Sequence, residues 1–247
     1  MILELKDVHS YYDKSHILNG VSLSVAEGTS VCLLGRNGVG KSTTMKTIMG
    51  MLNPKEHCRT EGSIMFDGKE MVGMKSHSIA RMGIAYVPQG RHIFPTLTTE
   101  ENLKVAARVG VDGSNKWNLE SVYEFFPRLQ ERKDSKGDKL SGGEKQMLAV
   151  ARGLMQNPRM MLLDEITEGL APIIVDQLAV MVQNLINEGV TILIAEQNVK
   201  FAMKVSSDCY ILERVNCRRK PEDNIWDCRD LIRVVFLFFL LTRSGHE

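Results

Sequence analysis

Residues 30–52 read SVCLLGRNGVGKSTTMKTIMGML, and this stretch decides the fold. SVCLL, residues 30–34, is a short apolar run of the kind that forms a buried strand. A glycine-rich turn follows it. Beyond the turn, Met45, Ile48, Met49 and Leu52 fall at i, i+3, i+4 and i+7, which predicts a helix ended by Asn53-Pro54. The turn itself, Gly35, Arg36, Asn37, Gly38, Val39, Gly40, Lys41 and Ser42, matches G-x-x-x-x-G-K-[ST] between a strand and a helix. Glycines there let successive backbone N–H groups turn inward around phosphate oxygens, and the helix N-terminus adds favourable partial charge. Lys41 is placed to reach the β- and γ-phosphates of a nucleotide, Ser42 to ligate Mg²⁺, and Thr43 continues the cradle onto the helix. A plain glycine turn leaves the Lys-Ser pair at the helix start unexplained.

Working outward, GIAYV (83–87), MMLL (160–163), VTILIA (190–195) and CYIL (209–212) are further strand candidates. Helical spacing is found at Met147, Val150, Ala151 and Leu154, and again at Ile174, Leu178, Met181, Val182 and Leu185. Strands alternating with helices predict a parallel α/β core. The polar, helix-prone segment of residues 95–139 reads as a helical insertion into it.

MMLLDE, residues 160–165, is an apolar strand ending in two carboxylates. Asp164 is suited to the magnesium shell, and Glu165 to orienting or deprotonating a water that attacks the γ-phosphate. Acidic pairs also end buried strands and cap the next turn; the phosphate loop upstream favours the chemical reading. LSGGE, residues 140–144, opens a helix with Ser141, Gly142 and Gly143, which reads as a second exposed nest of N–H donors or as an ordinary serine cap.

The order of phosphate loop, Gln89, LSGGE and MMLLDE resembles the ATPase subunit of an ABC (ATP-binding cassette) transporter, over about residues 1–213. The resemblance implies a RecA-like P-loop α/β core with an antiparallel β portion near the N-terminus and a helical subdomain near residues 95–144. It implies that Tyr12 stacks on adenine, with Tyr11 beside it as the other choice. It implies that Gln89 touches Mg²⁺ and senses the membrane subunit, and that Ser141, Gly142 and Gly143 bind ATP held by a second subunit. The expected activity is ATP hydrolysis coupled to solute import, with Lys41, Glu165 and Gln197 as catalytic residues.

Three positions depart from the common pattern of that family. Ile166 follows Glu165 where the family has proline, Ala171 stands at the usual aspartate of EGLAP, and Gln197 replaces the switch histidine. Gln197 can hydrogen-bond a γ-phosphate or a water but cannot become cationic. EGLAP, EQN and YVPQGRHIFPTLTTEENL (86–103) resemble the second ATPase subunit of branched-chain amino-acid importers; urea and short-chain amide importers share much of this pattern. The implied partners are transmembrane permease subunits, a sister ATPase or a second copy, and indirectly a periplasmic solute-binding protein. The implied location is peripheral, at the cytoplasmic face of the inner membrane.

Composition agrees with a folded, globular core. The 247 residues are 43% hydrophobic and 25% charged, enough for a packed domain rather than a disordered or fibrous chain. A balance of 31 basic against 30 acidic residues gives no reason to expect nucleic acid as partner. Absence of a tandem cassette or a long coiled-coil insertion argues against a soluble ABC switch acting on ribosomes or DNA, whereas Ile166 and the atypical tail leave a nucleotide-binding regulator without turnover as a rival. The 5 cysteines show no CxxC spacing, and the 6 histidines no metal-ligand spacing. The N-terminal MILELKDVHSYY alternates apolar and polar residues like a strand and holds no long apolar run of a secretory signal. From Arg214 the resemblance stops and residues 214–247 read as an atypical tail, through a frame change or an unusual terminus. Its VVFLFFLL run (234–241) is far shorter than a membrane span, and a shallow surface anchor is the alternative.

Overall fold

The computed structural model describes residues 1–52 and 58–213, and the backbone of residues 217–219. Strands β1 (Leu3–Tyr12) and β2 (Ser15–Val25) form an antiparallel hairpin, burying Leu3, Leu5 and Val8 with Leu18, Val21, Leu23 and Val25. Strand β3 (Ser30–Leu34) is buried at every position and feeds the glycine turn and helix α1 (Lys41–Ile48). Strands β4 (Arg59–Phe66) and β5 (Lys69–Glu70) complete a four-stranded antiparallel sheet in the order β2-β1-β4-β5. Helix α2 (Ser76–Ala80) and strand β6 (Ile84–Val87) follow.

Helix α1 ends earlier than its apolar spacing predicts. Gly50 takes φ 59°, Gly50 N–H bonds Thr47 O at 3.0 Å and Met51 N–H bonds Lys46 O at 2.9 Å. This is a glycine-terminated Schellman cap, so Leu52 lies beyond the helix and Asn53-Pro54, outside the described residues, is not the stop signal.

The polar segment holds helices α3 (Thr99–Ala106), α4 (Leu119–Phe125) and α5 (Pro127–Glu131) and a 3₁₀ turn, Gly137–Lys139. Helix α6 (Gly142–Leu154) returns to the core. The chain then runs through β7 (Met160–Asp164), α7 (Pro172–Asn187), β8 (Thr191–Glu196), α8 (Val199–Val205) and β9 (Asp208–Leu212). Strand β10 (Cys217–Arg219) pairs antiparallel with β9. The sequence reading places those three residues in the atypical tail; the rest of that tail, with the VVFLFFLL run, lies outside the described residues.

The second sheet is six-stranded, in the order β10-β9-β3-β8-β7-β6, with every pair but β10-β9 parallel. Both its faces are covered, as a parallel sheet requires. Met160 and Leu162 of β7 face one core with α1 and the antiparallel sheet, while Met161 and Leu163 face the other with α6 and α7. Because β3, β8 and β7 are parallel neighbours, the turns leaving them gather at one edge, the usual place for a ligand in such sheets. No helix among the described residues is long and apolar enough to cross a membrane.

Candidate nucleotide site

The glycine turn works through its backbone. Gly38 and Gly40 take φ 83° and 108°, a left-handed region that side chains resist. A Cβ on Gly40 would also sit 2.7 Å from Leu18 Cδ2. Lys41, 3% exposed, folds its ammonium back into the turn, donating to Gly35 O at 2.9 Å and Arg36 O at 3.0 Å. The same nitrogen pairs with Glu165 Oε1 at 2.8 Å. A buried cation is thus held by oxygens alone, the environment that triphosphate oxygens also supply.

Ser42 Oγ donates to Asp164 Oδ1 at 3.0 Å, and Tyr86 OH donates to Asp164 Oδ2 at 2.9 Å. Burial pushes the Asp164 carboxyl above its ordinary range, against the bonds from Tyr86 and Ser42. Burial, then the charge of Asp164, drives the Tyr86 phenol up as well. These donors suit magnesium: both are hard oxygens. Ser42 Oγ and Asp164 Oδ1 stand 3.0 Å apart, so that one such ion would reach both. Gln89 stands elsewhere. Its Nε2 donates to Glu165 Oε2 at 3.0 Å and Glu168 Oε2 at 2.8 Å, and its described hydrogen bonds join it to the acidic loop.

Glu165 takes φ 46°, a strained conformation for a residue with a side chain. Its N–H bonds Ala195 O at 2.8 Å, so the turn after β7 is pinned to β8 while the carboxylate faces Lys41 and Gln89. A cleft of about 260 Å³ is lined by Asn37, Glu165, Thr167, Glu168, Glu196, Gln197 and Asn198. The candidate base, the phosphate loop and Gln197 therefore share one opening.

Ile166 has a physical reason to be there. Its side chain is 1% exposed and packs in the core built by α6 and α7. Ile166→Ala is expected to lower unfolding stability by about 2–5 kcal/mol, the usual range for such truncations, measured by denaturant titration.

Tyr12 ends β1, half-buried, next to Tyr11, whose ring has two partners. Tyr11 stacks on His16 with centroids 4.3 Å apart, and Arg59 Cζ lies 4.1 Å from the Tyr11 ring centroid. His9 Nδ1 and His16 Nε2 are 3.0 Å apart on this hairpin.

Ser141 is exposed and caps α6: its Oγ accepts from Glu144 N–H at 3.3 Å, and Glu144 Oε2 accepts Ser141 N–H at 2.8 Å. Gly143 is buried rather than part of an exposed nest, because a Cβ there would meet Ile174 Cγ2 of α7 at 2.9 Å. A Cβ on Gly142 would lie 3.0 Å from Arg91 Nη1. Arg91 Nη2 in turn donates to Glu168 O at 2.6 Å, linking the start of α6 to the acidic loop. The neighbours of Ser141, Gly142 and Gly143 given by these contacts are on α6, α7 and the loops around Arg91 and Glu168, not on the glycine turn.

The structure adds Tyr86, Arg91, Thr167, Glu168 and Glu196 to the site. Glu196 carried the same signal as Asp164, an acid closing an apolar strand, and Tyr86 was a polar group inside GIAYV.

A parallel sheet with a glycine turn, a buried lysine and paired carboxylates at one edge defines a nucleotide-hydrolysing P-loop protein. Residues 18–168 match the family model described as ABC transporter, and the chain belongs to that family, as an ATP-binding and ATP-hydrolysing subunit. It is 42% identical over 212 residues to the high-affinity branched-chain amino acid transport ATP-binding protein BraG of Pseudomonas aeruginosa, covering 86% of this chain and 89% of that one. It is 34% identical over 215 residues to the probable branched-chain amino acid transport ATP-binding protein LivF of Archaeoglobus fulgidus, covering 85% and 88%. Among solved structures, an ATP-binding subunit of an ABC transporter matches at a TM-score of 0.77 and 27% identity, over 98% of this chain and 100% of that one.

Proposed function

We propose that this subunit drives import of branched-chain amino acids, hydrolysing ATP at the cytoplasmic face of the inner membrane beside transmembrane permeases. ABC ATPase subunits of importers work with permeases and as dimers. The observation that carries the ATPase reading is the meeting of Lys41, Ser42, Asp164 and Glu165, with 2.8 Å and 3.0 Å contacts, at one edge of the parallel sheet. Similarity to BraG and LivF supports the solute class.

In this reading Gly35, Arg36, Asn37, Gly38, Val39, Gly40 and Thr43 wrap the phosphates, and Lys41 neutralises the β- and γ-phosphates. Ser42 and Asp164, with Gln89 on closure, hold Mg²⁺. Bound there, the metal supplies Lewis-acid charge to the phosphate oxygens. Glu165 takes a proton from the attacking water, and Gln197 orients that water or the γ-phosphate. Tyr12 stacks on adenine. Ser141, Gly142 and Gly143 of a second subunit, a sister ATPase or another copy, close over the nucleotide. A periplasmic solute-binding protein acts through the permeases, and nucleic acid has no part.

Reconstituted with its permeases and binding protein, the complex is expected to hydrolyse ATP faster when leucine, isoleucine or valine is supplied. Stimulation by urea or short amides instead would overturn the solute class. Tyr86→Phe removes only the hydroxyl that bonds Asp164. Loss of such an outer partner is expected to raise the Mg²⁺ needed for half-maximal hydrolysis by roughly tenfold or more. A magnesium titration of turnover checks it.

A further inference from the structure

Glu196 closes strand β8 behind four residues of apolar or small side chain, Ile192, Leu193, Ile194 and Ala195, and is itself 2% exposed. Its carboxylate accepts four hydrogen bonds. Thr167 N–H reaches Oε1 at 3.0 Å, and Thr167 Oγ1 donates to Oε2 at 3.0 Å. Gln197 N–H and Asn198 N–H reach Oε2 at 3.2 Å and 3.4 Å. The backbone carbonyl of the same residue accepts from Gly35 N–H at 3.2 Å. One residue thus ties together the loop that carries Glu165, the loop that carries Gln197 and the first glycine of the phosphate loop.

A buried carboxylate is costly unless its oxygens are satisfied. Among the described residues no Lys, Arg or His forms an ion pair with Glu196; neutral donors alone hold it. Burial pushes its carboxyl above the ordinary range, and the bonds from Thr167, Asn198 and Gln197 oppose that rise. All four donors to the carboxylate belong to residues that line the 260 Å³ cleft, Thr167, Gln197 and Asn198. An apolar residue would pack at the end of β8 without the desolvation penalty. The carboxylate therefore registers two loops against each other.

We infer that Glu196 is a positioning residue for ATP hydrolysis: through Thr167 it holds the turn bearing Glu165 at a set distance from Gln197 and the phosphate loop. This rests on the reading of Glu165 as the base. Misplacing a reacting group by about 1 Å can cost roughly 10²-fold in rate.

Glu196→Gln keeps the side-chain volume but replaces one acceptor by a donor. Turned one way, the amide NH₂ faces Thr167 N–H; turned the other, it faces Gln197 and Asn198 N–H. The expected result is a fall in kcat for ATP of about tenfold or more, with KM within about twofold. Thr167→Val removes one donor and keeps the β-branched shape, so it carries the test if the first variant does not fold. It is expected to lower kcat several-fold, Thr167→Ser to restore it, and the double variant to be no slower than Glu196→Gln alone. A merely structural role would lower the melting temperature and leave kcat of the folded fraction unchanged, and that result overturns the inference, as does additive slowing in the double variant. Glu165→Gln in the same assay separates the two claims. Normal turnover by Glu165→Gln overturns the base assignment, whereas arrest of Glu165→Gln with unimpaired Glu196→Gln overturns the positioning role alone.

Discussion

Glu165→Gln is expected to stop ATP turnover while leaving ATP bound. The carboxylate is held at 2.8 Å by Lys41 Nζ and at 3.0 Å by Gln89 Nε2, inside the cleft that Asn37 and Gln197 also line. An amide of the same shape keeps the packing and the left-handed turn at φ 46° but cannot accept a proton. General-base contributions are about 10²–10⁴-fold, so single-turnover hydrolysis should slow by at least the lower figure. Affinity should hold or rise, because the variant removes a negative charge near the triphosphate. Equilibrium binding of labelled ATP together with phosphate release checks both halves. Hydrolysis at the unmodified rate would show that another group is the base.

Lys41→Ala should act on binding instead. The ammonium is 3% exposed and reaches Gly35 O, Arg36 O and Glu165 Oε1 at 2.9, 3.0 and 2.8 Å. Removing it takes a donor from two carbonyls of the turn and from Glu165 Oε1, and leaves the β- and γ-phosphates without their cation. Hydrogen bonds to charged groups are worth about 1.5–3 kcal/mol each, and every 1.4 kcal/mol is tenfold in affinity. The expected loss is therefore about 10²-fold in Mg-ATP affinity, measured by calorimetry. Lys41→Arg should not restore it, since a planar guanidinium does not fit a cradle shaped for a compact ammonium. ATP affinity within twofold of the unsubstituted protein in Lys41→Ala would remove the lysine from the site.

The phosphate loop was legible because its parts are consecutive. Glycine freedom, lysine and serine all act within residues 35–42, and flanking apolar runs reveal the strand and the helix. MMLLD was legible for a related reason, since a buried strand that ends in carboxylates carries its own signal. The helix stop is hidden because Gly50 sits inside a continuing apolar pattern, and only its φ of 59° shows the cap. The buried state of Gly143 was equally hidden, since its neighbour Ile174 comes from another helix.

Contiguous chemistry and continuous apolar runs, then, were written in the chain itself: a parallel core, a phosphate cradle and the acids that end β7. Tertiary structure alone chose the partners. Ser42 meets Asp164 across 122 residues, Tyr86 meets Asp164 across 78, and Thr167 meets Glu196 across 29. Those pairings depend on which strands lie side by side and in what register, with Leu34 beside Glu196 and Asp164 beside Ala195. Register follows from burying both faces of the whole sheet at once, a global requirement that no local stretch of residues encodes.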